Sequence, residues 1–188
     1  MDRLLAYLRE APIVDMGEYD YFVHPVTDCL PLVEPAMMRE IADGIRSVVD
    51  LDAIDKIFTA EAMGIHHATA LSMATEIPFV AARKRRYGFD TEVAVHQETG
   101  YGEAEMFVNF VEPDDRLLLV DDVLATGGTF RALHGALSEI GAEPAAAVVV
   151  FRKVDLDPGP LPMPVESLVD VELVDGSVRV VDAVEPES

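Results

Sequence analysis

Tryptophan is absent from these 188 residues, lysine is scarce and cysteine occurs once. The single thiol, Cys29, excludes an internal disulfide framework and fits a reducing compartment. Three lysines (Lys56, Lys84, Lys153) and eleven arginines face 35 acidic residues, for a net charge of −21. A chain this poor in positive charge lacks the footprint of a general nucleic-acid binder. No apolar run approaches the ~18 residues of a membrane helix. The first ten residues carry charges at Asp2, Arg3, Arg9 and Glu10, unlike a secretory signal. Nucleic acid and membrane are therefore not expected partners, and the expected compartment is the cytoplasm. Internal repeats and low-complexity segments are missing too. The histidines (His24, His66, His67, His96, His134) do not have the spacing of a zinc set, so no metal ligand is assigned.

What is present is an ordinary apolar half, so the acid belongs on the surface of a globular protein and does not signal disorder. Such charge suits a salt-rich cytoplasm, where screening removes most self-repulsion. The length predicts one domain over 1–188. Residues 1–10 read as a short amphipathic helix, 11–35 as irregular, and 36–49 as a helix. Strands are expected at 56–60, 78–82, 117–120 and 145–151, and helices at 64–75 and 130–140. Residues 93–109 suggest a hairpin or flexible loop, and 155–164, with four prolines and a glycine, a surface loop. A terminal hairpin over 165–183 turns at Asp175–Gly176. Alternating strands and helices predict an α/β fold, a mostly parallel central sheet flanked by helices.

The most telling stretch is Leu117-Leu-Leu-Val-Asp-Asp-Val-Leu-Ala-Thr-Gly-Gly-Thr129. A buried apolar strand ends in two carboxylates, and a glycine-rich turn then opens a helix. Such a turn directs free N–H groups and the positive helix end at an anion, at the strand edge where open α/β sheets bind ligands. Carboxylates before that turn would repel a bare phosphate. They make sense if the anion's carrier also brings hydroxyls, as a ribose 5-phosphate does.

Val120-Asp-Asp-Val-Leu-Ala-Thr-Gly-Gly-Thr129 resembles the phosphoribosyl-pyrophosphate (PRPP) signature of the type I phosphoribosyltransferases. The resemblance implies that Asp121 and Asp122 hold the ribose hydroxyls and that Ala125, Thr126, Gly127, Gly128 and Thr129 cradle the 5-phosphate. It also implies a small hood from about 11–35 and a flexible loop over the reacting centre. Glu61-Ala62-Met63-Gly64 stands where the family has its pyrophosphate loop. Arg83 and Lys84 match a pair that reaches pyrophosphate, often in a neighbouring subunit's site. Arg85 and Arg86 read more simply as solvated or paired with acids.

Glu18-Tyr-Asp-Tyr-Phe-Val-His-Pro25, Glu61-Ala-Met-Gly-Ile65, Arg83-Lys-Arg85 and Val95-His-Gln-Glu-Thr-Gly-Tyr101 together resemble the archaeal hypoxanthine phosphoribosyltransferase-like subgroup. Tyr21 or Phe22 would stack on a purine, and Lys153 lies where related xanthine enzymes have a lysine near the base oxygen. Adenine-specific members place a Glu directly before the Tyr-Gly pair; here Gly100 stands there. Another familiar acid is replaced by Ala125. Glu98 is the nearest substitute for proton transfer. The resemblance thus implies purine salvage: PRPP and a purine base (hypoxanthine, with guanine open) as substrates, Mg2+ bound mainly through PRPP, and a homodimer. A PRPP- or purine-sensing regulator, or a transferase for adenine, xanthine or orotate, remains an alternative.

Overall fold

The computed structural model describes residues 1–17, 20–99 and 102–185, with the backbone alone at 96–99 and 102–104. Helix α1 (Asp2–Arg9) is followed by two short strands, β1 (Ile13–Asp15) and β2 (Asp20–Phe22). These pair antiparallel and lead into α2 (Pro25–Asp28) and the long α3 (Pro35–Val48). Then come β3 (Lys56–Ala60), α4 (Gly64–Thr75), β4 (Phe79–Ala82), and the hairpin β5 (Val93–Thr99) and β6 (Gly102–Val108). The chain continues through β7 (Arg116–Leu124), α5 (Gly128–Ile140), β8 (Glu143–Lys153), β9 (Glu166–Val174) and β10 (Ser177–Ala183).

The central sheet has the order β10-β9-β8-β7-β3-β4. Every neighbouring pair is parallel except β9 with β10. Continuous apolar runs suit such strands because both faces are covered. Leu118, Val120, Val148 and Val150 face one cluster, with Leu4, Met37, Ile41, Ile45 and Leu71 from the helices. Leu117, Leu119, Ala147 and Val149 face the other, with Phe130, Leu133 and Leu137 of α5 and Val95 and Met106 of the hairpin. Within 93–109, read as hairpin or flexible loop, β5 and β6 pair as an antiparallel ribbon. It is tied to the end of β4 by reciprocal bonds between Arg83 and Phe107.

Two expectations need correction. The acid-pair strand does not stop at Val120; it runs to Leu124. β8 extends alongside and supplies ladder partners, Asp121 opposite Val149 and Val123 opposite Phe151, and that pairing overrides the polarity of two aspartates. The 11–35 segment is not wholly irregular either, since it holds β1, β2 and α2. At the C-terminus the Asp175–Gly176 turn has φ of 51° and 70°, the positive values a two-residue hairpin loop requires.

Two buried histidines hold the hood to the body. His24 caps α2: its Nδ1 accepts from the Val26 N–H at 3.1 Å and its Nε2 lies 3.3 Å from the Leu4 carbonyl. His67 of α4 places Nε2 3.3 Å from the Val26 carbonyl. Burial pushes His24 from its ordinary 6.5 down to about 4, and His67 well below 6.5. A histidine whose folded pKa is depressed takes up its proton first in the unfolded chain. The histidines' own contribution to stability is therefore complete above about pH 6.5 and falls as pH drops toward about 4, on the order of 3 kcal/mol for His24 alone. In molar salt the denaturant midpoint of wild type relative to His24→Asn is expected to fall across that window. The asparagine keeps an N-cap acceptor and removes only the titration; a midpoint difference that does not change with pH would refute His24's part in it.

Candidate active site

Three connections meet at the carboxyl edge of the sheet. After β3, residues 61–63 cross into α4 through a cis Glu61–Ala62 peptide. After β7, Ala125–Gly127 turn into α5, with Gly127 as N-cap at φ +71°. After β4, the basic run Arg83–Arg86 leaves the edge strand.

Close packing joins the first two. Gly64 opens α4 so near the neighbouring strands that a Cβ there would lie 1.9 Å from Thr59 Oγ1, 3.0 Å from the Val120 carbonyl and 3.1 Å from Asp121 Oδ1. The missing side chain lets the first turn of α4 settle against the acid pair. Asp121 Oδ1 accepts from the Asp122 N–H at 3.0 Å. Both carboxyls are half-buried, and burial first raises both pKa values. The charge of Asp121 raises Asp122 further. Two crowded acids that resist ionisation need hydroxyl donors or positive charge brought by a ligand.

The basic run is anchored from the first connection. Glu61 accepts from Arg83 Nε at 2.9 Å and from the Lys84 N–H at 3.0 Å. The Lys84 N–H, then the guanidinium, holds its carboxyl below the ordinary carboxylate value. The Glu61 side chain, in the loop expected to hold pyrophosphate mainly through backbone amides, is taken up in orienting Arg83 and Lys84. Ala62 is exposed and Met63 half-buried beside it. Arg86 pairs with Glu92 at 3.2 Å, and Arg85 lies 5.8 Å over the Tyr87 ring.

The hood brings one expected residue to the site and withholds another. Tyr21 donates its hydroxyl to Asp28 Oδ1 at 3.1 Å. Burial pushes it up to about 12, with the charges of Asp28 and Asp122 contributing, so it stays protonated beside the acid pair. Phe22 is only 3% exposed, edge-on to Phe151 at 5.7 Å. Its ring belongs to the core and is not free to stack on a base, which corrects the expectation. Lys153 is half-buried at the end of β8, opposite Val171. The Glu98 backbone pairs with Glu103 in the hairpin, but its side chain lies outside the described residues. Thr129 sits in the first turn of α5 beside Gly128.

Sequence reasoning missed Arg131, whose guanidinium reaches both the Thr126 and Pro158 carbonyls at 2.8 and 2.7 Å. Its place one turn into the helix was the available signal, since helical side chains lean toward the N-terminus.

Comparison with known proteins gives a family and a fold. The family model described as phosphoribosyl transferase domain matches residues 32–160. A Haloterrigena turkmenica protein named HGPRTase-like protein 3 is 53% identical over 182 residues, 97% of this chain and 98% of its own length. A Haloferax volcanii protein named HGPRTase-like protein 2 is 54% identical over 154 residues, 82% of this chain and 84% of its own. Among solved structures, adenine phosphoribosyltransferase from Rhodothermus marinus superposes with TM-score 0.73 at 24% identity, covering 90% of this chain and 99% of that one. The Saccharomyces cerevisiae enzyme, solved with an imino-altritol bisphosphate and adenine, gives 0.71 at 20% identity, covering 89% and 99%.

Proposed function

Because the chain belongs to the phosphoribosyltransferase family, we propose that it transfers the 5-phosphoribosyl group of PRPP to a 6-oxopurine, hypoxanthine first, and releases pyrophosphate. The observation that carries this reading is the half-buried pair Asp121 and Asp122 set between two anion-ready turns. The N–H groups of Thr126, Gly127, Gly128 and Thr129 receive the 5-phosphate, with Ala125 leading into the turn. Asp121 and Asp122 accept from the ribose hydroxyls. A purine nitrogen attacks C1, the C1–O bond breaks, and its electron pair leaves on pyrophosphate toward Ala62–Gly64, Arg83 and Lys84. Positive charge building on the sugar is offset by the aspartates, so most of the rate gain comes from placement and electrostatics.

The acid pair, raised in pKa first by burial, fits a hard divalent cation carried in on substrate oxygens. Mg2+ held there mainly through PRPP would draw charge off the departing pyrophosphate. Tyr21, by stacking its ring, and Lys153 would meet the base, the lysine favouring a 6-oxo group. Glu98 is the proposed proton-transfer group. The name HGPRTase-like of the haloarchaeal relatives supports hypoxanthine, and the adenine-specific Glu is replaced by Gly100. The likeness to adenine enzymes is one of fold. Charge and relatives support work in a salt-rich cytoplasm. An exposed aromatic row beside the basic run, Tyr87, Phe89 and Phe110, supports a homodimer.

A base panel with PRPP, Mg2+ and molar salt, read by ultraviolet difference absorbance, tests this. Hypoxanthine should turn over and adenine should not; sedimentation of the same sample should give a dimer. Turnover of adenine alone would overturn the choice of base. PRPP binding without turnover of any base would favour the sensor.

A further inference from the structure

The proline-rich segment between β8 and β9 lies against the phosphate loop, and one side chain fastens the two. Arg131 donates from Nη1 to the Pro158 carbonyl at 2.7 Å and from Nη2 to the Thr126 carbonyl at 2.8 Å. Leu161 closes the contact. A Cβ on Gly127 would lie 2.6 Å from Leu161 Cδ2, 3.0 Å from Arg131 Nη1 and 3.3 Å from the Pro158 carbonyl. Gly127, at φ +71°, is thus wedged against this proline-rich strap.

We propose that Arg131 is a positioning residue for PRPP, holding the phosphate loop in its receiving shape before the sugar phosphate arrives. This rests on the reading above that Ala125–Thr129 take the 5-phosphate. The carbonyl of Thr126 and the N–H of Gly127 share one planar trans peptide, so they point in opposite directions. Pulling the carbonyl toward the guanidinium aims the N–H the other way, outward from the strap. The second arm of the fork, on Pro158, stops Arg131 from swinging off the loop. A guanidinium has the planar double-donor geometry for two carbonyls at once, and an ammonium does not. The loop therefore need not be ordered on binding, which would weaken affinity. Arg131 is also a cation in a strongly acidic chain, placed one helical turn from the anion's seat.

The test uses the full chain in molar salt with Mg2+. Wild type, Arg131→Ala and Arg131→Lys are compared in kcat, in KM for PRPP, and in calorimetric Kd for ribose 5-phosphate and for pyrophosphate. Arg131→Ala should raise KM for PRPP and Kd for ribose 5-phosphate roughly 10- to 100-fold. It should change kcat less than about threefold and leave Kd for pyrophosphate alone. Arg131→Lys should recover only a minor part, because charge without the fork does not hold the peptide. An unchanged Kd for ribose 5-phosphate overturns the proposal. So does equal weakening of both ligands, which would mark Arg131 as general scaffold. Wild-type protein that binds neither ligand would bring down the site assignment, and this proposal with it.

Discussion

Asp122→Asn is expected to lower turnover by about 10²–10³-fold while leaving the fold at least as stable as before. The two halves of this expectation share one cause. Burial, then the neighbouring Asp121 charge, raises the Asp122 pKa above its ordinary 3.8. A carboxyl raised on folding contributes stability below its unfolded pKa and loses it as pH climbs through the folded value. At neutral pH the resistance of this carboxyl to ionisation therefore works against the fold. Asparagine keeps the shape and one acceptor oxygen but removes the charge, so the melting midpoint should hold or rise. The same charge is what meets the developing positive sugar, so its loss falls on kcat. Activity sacrificed for relief of a crowded site is a common pattern. Steady-state rates with PRPP and hypoxanthine, beside thermal melts, check both halves. A rate within twofold of wild type would take Asp122 out of the mechanism.

Gly64→Ala should be the most damaging single methyl addition at the site. The new Cβ would overlap Thr59 Oγ1 and press on the Val120 carbonyl and Asp121. Thr59 is only 1% exposed and can turn little; the other two contacts are a strand carbonyl and the acid itself. Either α4 withdraws, taking residues 61–63 with it, or the acid pair is displaced. Overpacking of this kind costs about 1–3 kcal/mol, and displacement of a reacting group by ~1 Å costs about 10²-fold in rate. Both losses are expected, read as denaturant midpoint and kcat/KM. The double change Thr59→Ala with Gly64→Ala removes the worst overlap and should restore stability before activity. Equal stability of Gly64→Ala and wild type would show that the first turn of α4 is not held against β7.

The contrast between Tyr21 and Phe22 shows where sequence reading stops. Both are aromatic, adjacent and in the hood, and nothing in their order tells them apart. Phe151, contributed by the distant β8, draws the phenylalanine ring into the core and leaves the tyrosine beside Asp28 and Asp122. Glu61 is a similar case. Its place in a loop suggested a binding role, yet Arg83, on a connection from another strand, takes up its carboxylate.

The sequence alone determined the sheet, its main helices and the acid pair followed by a glycine-rich turn. Those depend on short-range signals: apolar runs, a Thr-Gly-Gly-Thr turn, an Asp-Gly hairpin and two aspartates in a row. Tertiary structure decided the length of β7, the fastening of the phosphate loop by Arg131, and which side chains of the hood reach the site. Each of these depends on a partner far away in the chain, Val149, Pro158 or Phe151. Local propensity carries no record of a neighbour that only folding brings within hydrogen-bond or van der Waals range.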